Sequence, residues 1–123
     1  LVEACADALA CARRNVTDAR ADFHWADATA FRPARPADWV VCNPPFHAGR
    51  DADPALGEGF LRAAARMLAP QGSLWLVANR HLPYDRTLAS LFRTVDVIGG
   101  DPAFRLTRAA QPLPPARLPP RIP

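Results

Sequence analysis

Short apolar runs separated by amphipathic stretches give this chain its outline, and their order predicts strands alternating with helices. Leu1-Val2-Glu3 reads as the tail of a buried strand closed by an acid. From Asp7 to Asn15, Ala8, Leu9 and Ala12 recur at helical spacing between Arg13 and Arg14 and their polar neighbours, the pattern of a short amphipathic helix. Arg20 to His24 is a second brief strand, and a loop rich in Pro and Arg follows from Thr29 to Ala37. Asp38 to Cys42 is nearly all apolar, as expected of a strand buried on both faces of a parallel sheet.

Beyond Cys42, a loop through Gly49 and Asp53 leads to a helix starting near Pro54, a residue suited to the first helical turn. Leu56, Phe60, Leu61, Ala64, Met67 and Leu68 form its apolar stripe, and Pro70-Gln71-Gly72 ends it. Ser73 to Ala78 is the next strand. Tyr84 to Phe92 is helical, and Thr94 to Ile98 and Phe104 to Ala109 are extended on either side of a Gly99-Gly100-Asp101-Pro102 turn. Strand and helix in alternation, closed by a strand pair, predict an α/β fold with a mostly parallel sheet. Residues 112 to 123 have Pro at half their positions and cannot build a core, so the chain from 111 onward is expected to be a disordered tail.

Composition narrows the function without fixing it. The chain has 123 residues, enough for one domain, and all fifteen of its basic residues are Arg. A net charge of +3 is compatible with a polyanionic partner and too small to require one. Cys5, Cys11 and Cys42 lack the spacing of a zinc site or a disulfide framework, which predicts reduced thiols and no metal. No apolar run approaches the roughly 18 residues of a membrane span, and a bacterial cytoplasmic enzyme is the expectation.

The most specific chemistry lies at Asn43-Pro44-Pro45-Phe46, directly after Trp39-Val40-Val41-Cys42. Two prolines in succession fix the backbone and remove two donors, which leaves the carbonyl oxygens of the turn available as acceptors. Asn43 adds a side-chain carbonyl and Phe46 a ring. At the carboxyl end of a strand, where open α/β sheets bind ligands, this combination suits an amino group on a flat base.

The tetrapeptide matches the Asn-Pro-Pro-aromatic motif of class I methyltransferases dependent on S-adenosylmethionine (SAM). With His47-Ala48-Gly49, Leu74 to Tyr84 and Phe104-Arg105-Leu106, the chain resembles the catalytic domain of the ribosomal RNA guanine-N2 methyltransferases of the RsmC/RlmG type, over roughly residues 1 to 110. The resemblance implies a Rossmann-like fold with an antiparallel last strand. It also implies a chain truncated at its start, because the first strand and its Gly-rich loop are missing and Leu1 is not Met. It assigns Asn43, Pro44, Pro45 and Phe46 to catalysis. Glu3, Asp27 and Asn43 are assigned to SAM, with Glu3 on the ribose hydroxyls and Asp27 on the adenine amino group. Phe46, His47, Arg80 and Tyr84 are assigned to the substrate, ribosomal RNA or a ribosomal subunit.

Two other readings stay open at the level of sequence. The same tetrapeptide serves enzymes that methylate adenine N6 or a protein glutamine amide, since each presents a conjugated nitrogen. A non-catalytic RNA-binding half of a methyltransferase would account for the absent glycine turn, and the intact Asn43 to Phe46 motif argues against it.

Overall fold

The computed structural model describes residues 1–48 and 51–115. The chain opens with β1 (Val2–Glu3), α1 (Ala6–Asn15) and β2 (His24–Trp25). The two strands pair in parallel, Val2 with His24 and Glu3 with Trp25, and α1 lies against both through Leu9, its buried residue. Asp7 in its first turn and Arg13 and Arg14 in its last complement the helix dipole. β2 is shorter than the alternation implied. The Asp18 carboxylate accepts from the Arg20 backbone N–H at 2.9 Å and from its guanidinium at 2.7 Å, which bends the segment where a strand was expected.

The main sheet contains β3 (Ala37–Cys42), β6 (Leu68–Asn79), β7 (Phe92–Gly100) and β8 (Phe104–Pro112), in the order β3-β6-β8-β7. β3 and β6 are parallel, whereas β8 runs antiparallel to both of its neighbours and so enters between β6 and β7. That is the mixed sheet with an antiparallel last strand expected of a Rossmann-like methyltransferase. β6 begins immediately after α2 (Pro54–Met67), and the expected Pro70-Gln71-Gly72 terminator lies within it. The insertion is absorbed by a register shift: Ala37 pairs with Leu68, and Trp39 already pairs with Ser73. At the far end, β8 runs on through Gln111 and Pro112, the first two residues of the expected tail, which are therefore strand. The Gln111 amide donates to Gln71 at 3.0 Å and Leu113 N–H to the Leu91 carbonyl at 2.8 Å. The remainder of the predicted tail, 116–123, lies outside the described residues.

α2 and α3 (Asp85–Leu91) pack on one face of this sheet. Leu61 and Ala64 of α2 meet Leu74, Leu76 and Ala78 of β6, Leu88 of α3, Phe92 and Ala109, and Val40 and Cys42 of β3 pack against the cluster. Strand alternation sends Trp39, Val41, Trp75 and Leu106 to the opposite face. There Trp39 is 72% and Val41 80% exposed, which corrects the expectation that β3 is buried on both faces. Arg108 sits over the Trp75 ring, its guanidinium carbon 5.8 Å from the centroid, and supplies part of what covers that face. Among the described residues no helix is long and apolar enough to cross a membrane.

Candidate active site

β3 delivers Asn43-Pro44-Pro45-Phe46 at its carboxyl end. Pro44 is buried, Asn43 and Pro45 are exposed and Phe46 is half-buried, so the turn is anchored through one proline while the amide stays accessible. Behind it comes a hairpin that periodicity did not reveal, β4 (His47–Ala48) against β5 (Asp51–Ala52). The Phe46 carbonyl accepts from Asp53 N–H at 2.7 Å, and Asp53 in turn caps α2 by accepting from Leu56 N–H at 3.3 Å. Strand end, hairpin and helix start are thereby tied together, which restricts where Asn43 and Phe46 can move.

Two acids converge on the same place from other strand ends. Glu3, closing β1, accepts from Cys5 N–H at 2.8 Å, and Asp27, two residues beyond β2, accepts from Thr29 N–H at 2.8 Å and Thr29 hydroxyl at 2.7 Å. The hydroxyl bond, followed by the backbone bond, holds the Asp27 carboxyl below the usual carboxylate range, so it is ionised at neutral pH. Glu3, Asp27 and all four residues of the Asn43 to Phe46 turn line a single cavity of about 1120 Å³. Its floor and sides are mainly apolar, with Phe31 from the loop after β2, Phe60 and Met67 from α2, and Leu82 and Phe104 from the opposite side. The Arg66 guanidinium donates to the Thr29 carbonyl at 2.7 Å and ties α2 to the Asp27 loop. Among the described residues no three His, Cys, Asp or Glu side chains come together to hold a metal ion.

Residues 1–108 match the family model described as the methyltransferase small domain. The chain belongs to that family. It is 39% identical over 85 residues to a ribosomal RNA large subunit methyltransferase G of Ectopseudomonas mendocina, covering 69% of this chain and 23% of the relative. To the protein of the same name in Streptomyces coelicolor it is 36% identical over 109 residues, 89% of this chain and 29% of that one. The chain therefore spans between a fifth and a third of the length of these curated relatives. Among solved structures, its fold matches the T. thermophilus 16S rRNA N2 methyltransferase RsmC, in complex with AdoMet and guanosine, with a TM-score of 0.72 at 23% identity. That match covers 89% of this chain and 30% of RsmC.

Within this methyltransferase small domain, not every residue assigned from the sequence reaches the cavity. Tyr84 is a correction: it is 1% exposed, packs in the core, and does not line the cavity. The loop after β6 explains why. Leu82 N–H donates to the Asn79 carbonyl at 3.1 Å and Tyr84 N–H to the Leu82 carbonyl at 2.9 Å, two tight turns that leave Leu82 half-buried against the core edge and the cavity and Tyr84 fully inside. Burial, then the proximity of Cys42 and Glu58, pushes the Tyr84 phenol up. Arg80 is exposed and also lies outside the cavity lining, its guanidinium Nε donating to the Asp101 carbonyl of the β7–β8 turn. His47 opens β4, and its side chain lies outside the described residues. Phe31 and Phe104 are wall residues that sequence reasoning did not select, since neither sits in a motif with an assigned role. Cys42, just before the turn, has its thiol pushed up to about 11 by burial and is neutral at physiological pH.

Proposed function

We propose that this chain is part of a SAM-dependent methyltransferase that modifies the exocyclic N2 of guanine in ribosomal RNA. The observation that carries the reading is the convergence of Glu3, Asp27 and the Asn43 to Phe46 turn, from three separate strand ends, on one cavity. The residues fit the cofactor chemically. Glu3 is acceptor-only and suits a pair of ribose hydroxyls, Asp27 is ionised and suits an amino group, and Phe31 and Phe60 line the apolar part where an adenine ring would lie. When bound, SAM supplies an electrophilic methyl group.

The residues of this chain then position the acceptor. The N2 lone pair of guanine is delocalised into the ring. The Asn43 side-chain carbonyl and the Pro44 backbone carbonyl accept its two N–H bonds, favour a pyramidal nitrogen and aim the lone pair into the cavity. Phe46 stacks on the base, a contact worth about 1 to 3 kcal/mol, which helps offset the few kcal/mol needed to unstack it. The Cys42 thiol takes no part as a nucleophile, being neutral and packed against the core. Neither acceptor has to be a strong base, because the methylated amine can release its proton to water.

In this reading residues 1–110 are one part of the methyltransferase domain. Among the described residues β1 and β3 each stand at the edge of their sheet, and both line the cavity. Ribosomal RNA as substrate places the enzyme in the cytoplasm. Two variants in the intact polypeptide separate the roles. Glu3→Ala should weaken SAM binding measured by calorimetry, whereas Asn43→Ala should abolish turnover without unfolding the protein. Full turnover in Asn43→Ala overturns the proposal.

A further inference from the structure

Phe104 is a large apolar residue left 40% exposed at the first position of β8, and it lines the same cavity as Asn43 and Phe46. Exposure alone would mean little. What singles it out is how firmly its backbone is held. The Asp101 carboxylate accepts from Ala103 N–H at 2.8 Å and from Phe104 N–H at 2.7 Å, and Asp101 N–H donates to the Phe104 carbonyl at 2.9 Å. Arg80 adds two more bonds from the β6 side, its backbone N–H to the Ala103 carbonyl at 3.0 Å and its guanidinium to the Asp101 carbonyl. Gly100 completes the turn at φ 142°, with a hypothetical Cβ only 2.4 Å from the Phe104 carbonyl oxygen, so only glycine fits. A rigid turn thus fixes an exposed aromatic ring at the rim of the site.

The sheet register says where that rim is. Phe104 pairs with Asn79 at the end of β6, and Cys42 of β3 pairs with Leu76 of the same strand. Two strand spacings, roughly 10 Å, separate the lines of β3 and β8. A planar base needs roughly 7 Å between two rings in van der Waals contact with its faces. Alternation also puts Phe104 on the face of the sheet shared by Val41, two residues before Asn43.

Resting on the proposed guanine-N2 activity, we propose that Phe104 is a base-binding residue that forms, with Phe46, an aromatic clamp on the two faces of the target purine. Arg80 and Asp101 are then positioning residues, which hold the β7–β8 turn and so the second jaw.

The test uses the intact polypeptide, unmethylated ribosomal RNA from a strain lacking the gene, and 2-aminopurine riboside, a fluorescent purine with the same exocyclic amine that is quenched on stacking. Phe104→Leu keeps apolar volume and removes the planar ring; Phe104→Tyr keeps the ring. The clamp requires Phe104→Leu to raise KM for RNA about tenfold, to lose quenching of the riboside, and to leave SAM affinity unchanged, with Phe104→Tyr restoring wild-type KM and quenching. Wild-type KM and quenching in Phe104→Leu overturn it, and so does equal loss in both variants, which would assign the side chain to packing. A wild-type enzyme that makes no N2-methylguanosine overturns the underlying activity instead, and the two failures are thereby distinguished.

Discussion

Replacing Tyr84 by Phe separates the two roles that a tyrosine after β6 can have, filling the core or touching RNA. The side chain is 1% exposed, and among the described residues its hydroxyl has no hydrogen-bond partner. A buried hydroxyl without a partner costs about 1 to 3 kcal/mol relative to water. Phe keeps the ring in the cluster of Leu61, Leu76 and Leu88 and removes that penalty. The small void left by the oxygen offsets part of the gain, so the expected change is a stabilisation of about 1 kcal/mol. For a methyltransferase domain larger than this chain that raises Tm by about 2 to 4 °C, readable by scanning calorimetry on the intact polypeptide, with turnover unaltered. Gly57→Ala is the opposing control. Its new Cβ would lie 1.7 Å from the Tyr84 hydroxyl and 2.6 Å from the ring carbon bearing it, forcing a buried ring to move at a cost of about 1 to 3 kcal/mol or more. A folded Tyr84→Phe protein with a lower Tm or lost turnover would refute the reasoning, since the hydroxyl would then have a partner or contact the substrate.

Further outcomes follow from the same geometry. Cys5 and Cys11 are exposed and should react with a thiol reagent at pH 8, while Cys42, raised to about 11, should stay unmodified until the pH approaches that value; mass mapping of the adducts reads both. Because the folded thiol is the weaker acid, its burial contributes stability below the unfolded value near 9, and that contribution is lost as pH rises toward 11. Thr29→Val removes the first cause of the lowered Asp27 pKa, so the Asp27 midpoint followed by NMR should rise. In the wild type the carboxylate should stay ionised, and SAM binding should persist, at pH 5. Gly100→Ala should destabilise the β7–β8 turn by about 2 kcal/mol in chemical denaturation, through both its left-handed φ and the close Phe104 carbonyl.

Much of the fold and part of the site were legible in the sequence, and the reason differs from element to element. β3 and the Asn43 turn were readable because an apolar run ended in two prolines, a local signal that tertiary context does not override. Alternation of element types showed an α/β sheet, whereas the antiparallel last strand came from the family resemblance; β8 is that strand, antiparallel to both β6 and β7. Tyr84 misled because sequence distance from β6 says nothing about which way a loop turns; hydrogen bonds across Leu82 and Pro83 send it inward. The bond from Arg80 to the Asp101 carbonyl was not legible either, since the two residues are 21 positions apart. The β4–β5 hairpin is two residues per strand, too short for any period to register. Phe31 and Phe104 meet at the cavity only through the folding of separate elements, and no spacing along the chain encodes that.

The most direct test of the central claim is where the methyl group lands. Ribosomal RNA from a strain lacking the gene is incubated with labelled SAM and the intact polypeptide, digested to nucleosides and resolved by mass spectrometry, alongside the Asn43→Ala variant. Label in N2-methylguanosine with the wild type, and none with the variant, is the expected result. Label in N6-methyladenosine, or equal N2-methylguanosine from both proteins, contradicts the account.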